Sequence, residues 1–163
     1  MNKLNIIIVL ALFLMAKQGL CQLKLKTLDS GVQIIDPSID NLVMILEMSN
    51  SKWIEECGKL GYNSKSPYTT ARVGYLLMNK GKVREGGSSH ISKMGNKSIL
   101  FEWYHVNNDP ETIFNDLIAK LENNIAKSDN SSALYLFSHN GKKYSGVLMS
   151  GGSQIGFLMD PVQ

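Results

Sequence analysis

Cysteine is nearly absent from this chain: Cys21 and Cys57 are the only two in 163 residues. That scarcity excludes a disulfide framework and any zinc site built on cysteine pairs. Excess charge of one sign is missing too. Lys3 and Lys17 fall in the first 21 residues, so residues 22–163 carry 15 basic against 14 acidic side chains, a net +1. A balance this even argues against a dedicated nucleic-acid binder, which needs a concentrated basic face. No block of five or six like charges occurs, so charged interaction tails are not expected either.

Long apolar runs are also missing, with one exception. Ile6 through Ala16 is an unbroken apolar stretch of eleven residues, preceded by Lys3 and followed by the smaller, more polar Lys17-Gln18-Gly19-Leu20-Cys21. A bilayer-spanning helix needs roughly 18 to 20 apolar residues, so this segment reads as a secretory signal rather than an anchor. Cleavage after Cys21 places Gly19 and Cys21 at the two positions that favour small side chains and makes Gln22 the new N-terminus. A competing reading keeps Cys21 as a lipidated first residue, giving a lipid-anchored envelope protein with a soluble domain. Leu20 stands where that chemistry prefers Gly, Ala or Ser. Residues 1–21 are therefore read as a signal peptide, 22–31 as a loose polar lead-in and 32–163 as one domain, working in the periplasm or outside the cell.

The patterning of the remainder predicts an α+β fold: an antiparallel sheet of about five strands with two or three helices packed on one face. Ser38 to Met48 carries Ile39, Leu42, Val43, Ile45 and Leu46 at helical spacing. Ser51 reads as the N-cap of a second helix that brings Trp53, Ile54, Cys57 and Leu60 to one side, and Gly61 as its stop. Asp109-Pro110-Glu111 opens a third, whose apolar stripe runs through Ile113, Phe114, Leu117, Ile118, Leu121 and Ile125. Strands are expected over 68–78 and 98–106. A meander of 133–138, 143–149 and 154–159 follows, with Asn140-Gly141 as a tight hairpin turn. Residues 85–95, rich in Gly and Ser, read as an exposed loop or hairpin tip.

Candidate chemistry is thin. Cys57 falls on the apolar side of its helix near the C-terminal end, the setting of a packed rather than a nucleophilic thiol. His90, His105 and His139 are 15 and 34 residues apart, without the short spacings of a metal site, so no metal or cofactor is expected. Gly86-Gly87-Ser88-Ser89-His90 supplies a serine and a histidine but lacks the nucleophile-elbow and phosphate-loop patterns. Asn96-Lys97-Ser98 and Asn130-Ser131-Ser132 match the glycosylation acceptor pattern, which matters only in a eukaryotic secretory pathway. In the aromatic run from Phe101 to His105, alternation sends Phe101, Trp103 and His105 to one face and Glu102 and Tyr104 to the other.

The expectation is an exported, non-catalytic binding or accessory domain whose sheet face meets a protein, peptide or glycan. Trp103, Tyr104, His105, His90, Tyr135 and Tyr144 are its candidate contact residues. The alternative is a small hydrolase pairing His90 or His105 with Ser88, Ser89 or Cys57, which requires those side chains to converge.

Overall fold

The structure is a computed structural model, and it describes residues 22–28, 31, 33–63, 76–79, 88–104, 111–151 and 154–162. Along the chain run β1 (Leu25–Thr27), β2 (Gln33–Ile35), α1 (Ile39–Glu47), α2 (Asn50–Lys59), β3 (Leu76–Asn79), β4 (Ser88–Met94), β5 (Ser98–Tyr104) and α3 (Glu111–Leu121). A single 3-10 turn at Glu122–Asn124 then leads into β6 (Ile125–Ser128), β7 (Ser132–His139), β8 (Lys142–Gly151) and β9 (Gln154–Pro161). The α+β class holds. The antiparallel sheet is wider than the expected five strands: seven pair in the order β3-β4-β5-β9-β8-β7-β6, and β1 and β2 form a separate antiparallel pair.

Register divides the sheet into two faces. One carries Ile91, Phe101, Phe157, Leu148 and Ala133 side by side across five strands. Trp103 and Ile155 lie in the row on one side of it, Ile99 and Met159 in the row on the other. All three helices pack on this face. Phe114 of α3 meets Phe101 edge-on with ring centroids 5.7 Å apart. Tyr62, just past α2, shares a hydrogen bond with Ser89 of β4, and Lys93 of β4 donates to the carbonyl of Met48, the C-cap residue of α1. Burying Leu42, Ile45 and Leu46 of α1, Trp53 and Cys57 of α2, and Phe114, Leu117 and Leu121 of α3 against the sheet removes apolar surface from water, the main driving force for this layer.

Local sequence accounts for most boundaries. Gly61 adopts φ +82, and the amides of Gly61 and Tyr62 bond the Gly58 and Cys57 carbonyls, so α2 ends in a Schellman motif with Tyr62 folded back. Asn140 (φ 49) and Gly141 (φ 75) form the two-residue turn between β7 and β8. At Gly146 an added Cβ would lie 2.3 Å from Phe157 Cζ, so the glycine lets that ring lie flat on β8.

Four expectations are corrected. Ser88–Met94 is a strand, not a loop, because its core-facing polar residues each find a partner: Ser89 bonds Tyr62 and Lys93 bonds Met48. The N-cap of α2 is Ser49, whose hydroxyl accepts from the Lys52 amide, rather than Ser51. The α3 stripe stops at Leu121, and Ile125 opens edge strand β6 half-exposed. The lead-in is anchored instead of loose: β1 pairs with β2, Leu23 is buried, and Asn41 clamps Lys24 through its amide and carbonyl. The Asp109-Pro110 cap, most of the strand expected over 68–78, and His105 lie outside the described residues.

Candidate functional site

The face of the sheet opposite the helices carries the molecule's most distinctive group of polar and aromatic side chains. Antiparallel register places His90 of β4 beside Glu102 of β5, and Ser88 beside Tyr104, which itself pairs with Gln154 of β9. Because side chains two apart on a strand share a face, these five converge at one end of three adjacent strands. Ser88 Oγ lies 3.0 Å from His90 Nε2. The His90 and Tyr104 rings meet at 4.8 Å, tilted by 58°. Glu102 Oε1 accepts from the Tyr104 hydroxyl at 3.0 Å and from Gln154 Nε2 at 2.7 Å.

Partial burial sets the electrostatics of the group. Desolvation raises the Glu102 carboxyl above its ordinary range, partly countered by the bonds from Tyr104 and Gln154. Burial and the neighbouring Glu102 charge push the Tyr104 phenol up to about 12. Burial also lowers His90, which holds the imidazole neutral at physiological pH. Beside the cluster runs an apolar row, Leu100, Leu158, Val147 and Leu134, paired strand to strand. Leu136 and Met149 add exposed apolar surface to the same face.

The six sequence-predicted contact residues separate. Tyr104 and His90 meet on the face opposite the described helices, while His105 lies outside the described residues. Trp103, Tyr135 and Tyr144 are in the core, 5%, 3% and 2% exposed, and present no aromatic surface to a partner. Trp103 pairs with Ser89 and Ile155 on the helix-covered side, and Tyr144 stacks on Phe137. Sequence reasoning passed over Glu102 and Gln154. Glu102 had a visible signal as the single charge in an otherwise apolar and aromatic strand; Gln154, 52 residues away, had none.

Two other places have less to offer. At the far end of the sheet, a depression of about 350 Å³ is walled by Leu46, Glu47, Asn96, Lys142, Tyr144 and Pro161, with Glu47 and Lys142 ion-paired in it. Cys57 is fully buried with its thiol pushed up to about 12 by desolvation, the opposite of an activated nucleophile. Among the described residues, no three His, Cys, Asp or Glu side chains are grouped to hold a metal, and no helix is long and apolar enough to cross a membrane. No protein-family model, curated protein or solved structure matches the chain.

Proposed function

We propose that this is an extracytoplasmic binding or accessory domain, without catalysis, that meets a macromolecular partner through its helix-free sheet face. The observation that carries the reading is the Ser88–His90–Glu102–Tyr104–Gln154 cluster, half-buried beside an apolar row on a face no described helix covers. An aromatic anchor, directional polar groups and adjoining apolar surface are the ingredients of a recognition patch. The short apolar segment at Ile6 to Ala16 supports export.

Two measurements test the reading. Mass spectrometry of the mature N-terminus distinguishes an unmodified Gln22 start from an acylated Cys21, and an intact Met1 in the cytoplasm overturns export. Amide NMR of the labelled mature chain, titrated with host envelope extract, is expected to broaden residues of β4, β5 and β9 selectively. Broadening confined to the helices overturns the assignment of the face.

The Ser88–His90 hydrogen bond favours a second reading, hydrolysis with His90 as base and Ser88 as nucleophile. Labelling by a serine-reactive phosphonate, abolished in Ser88→Ala, supports it; an unlabelled wild-type chain excludes it.

A further inference from the structure

We infer that the Glu102–Tyr104–His90 cluster receives a guanidinium group, supplied by an arginine set among apolar residues on a protein partner. The inference rests on the binding reading above and names what that face would take.

Glu102 sits on β5, the third strand of seven, with one oxygen engaged and the other open. Oε1 takes both neutral donors, from Tyr104 and Gln154, while Oε2 has no partner and no lysine or arginine reaches it among the described residues. Elsewhere Asp40, Glu47, Glu55, Glu56 and Asp116 each have a lysine. A half-buried carboxylate bonded only to neutral groups leaves negative charge that a cation would complete.

The surroundings select the kind of cation. Among the described residues, the rows His90–Glu102–Gly156–Met149–Ser132 and Ser88–Tyr104–Gln154–Gly151 contain no lysine or arginine, so no described side chain in them repels a positive charge or recruits an anion. The tilted Tyr104 and His90 rings supply aromatic surface beside the carboxylate. A guanidinium, planar and weakly hydrated, suits a carboxylate flanked by rings better than an ammonium does. The adjoining Leu100, Leu158 and Val147 provide apolar surface for the residues next to the arginine.

The test titrates the mature chain with three probes while the ring resonances of His90 and Tyr104 are followed by NMR. The probes are a blocked Val-Arg-Leu peptide, the same peptide with citrulline in place of arginine, and a neutral glucan oligosaccharide. The arginine peptide is expected to shift both rings and to bind about tenfold more tightly than the citrulline peptide, with Glu102→Gln closing that gap. Equal affinity for the arginine and citrulline peptides in the wild-type chain overturns the inference even if Glu102→Gln fails to fold. So do shifts from the oligosaccharide alone, although the face then remains a binding surface. If none of the three moves either ring, the inference falls, while the envelope titration still judges the broader reading.

Discussion

At the scale of single residues, the fold depends on a few buried polar groups with well-defined partners. Tyr62 is fully buried; its hydroxyl accepts from the Ile35 amide at 3.0 Å and bonds Ser89 at 2.8 Å, joining β2, α2 and β4. Tyr62→Phe leaves both partners unsatisfied and is expected to cost about 1–3 kcal/mol, read from the urea midpoint. Gly146→Ala drives a methyl into the Phe157 ring, with an expected loss of about 1–3 kcal/mol from overpacking. Lys93, fully buried, has its amine pKa lowered by desolvation. Below the folded pKa the amine is charged in both states and the full burial penalty opposes folding. As pH rises from the folded pKa toward 10.5, the folded chain sheds its proton first, so the unfolded state binds more protons and stability rises. Thermal melts of wild type and Lys93→Met should therefore change with pH in the wild type's favour between neutrality and pH 10. A constant difference contradicts the desolvated amine.

At the scale of elements, punctuation was legible and polar strands were not. The Gly61 stop of α2 and the Asn140-Gly141 turn follow from backbone chemistry that sequence states directly. Gly141→Val places a β-branched residue at φ 75 and is expected to cost about 1–2 kcal/mol, with the denaturant slope unchanged. Strand β4 escaped notice because its inward positions are Ser89, Ile91 and Lys93, whose fit depends on Tyr62 and Met48 from distant segments. Strand β6 escaped for another reason: all four of its residues are exposed, so no period marks it. The faces of β5 were readable from alternation, which put Glu102 and Tyr104 together. The convergence of His90 and Gln154 on them needed the strand order β4-β5-β9, which local pattern does not encode.

At the scale of the whole molecule, the three described helices lie on one side of a seven-stranded sheet, and no described helix covers the mixed polar and apolar face on the other. Residues 22–163 carry almost no net charge, so contact through that face would depend on local complementarity rather than long-range steering. The central claim is that partners meet this face and not the helices. Site-specific photocrosslinking in the native host tests it most directly, with benzoylphenylalanine placed at position 104 or, on the exposed side of α3, at position 115. The account predicts a discrete adduct from position 104 and none from position 115. Adducts from 115 alone, or equally from both, would contradict it.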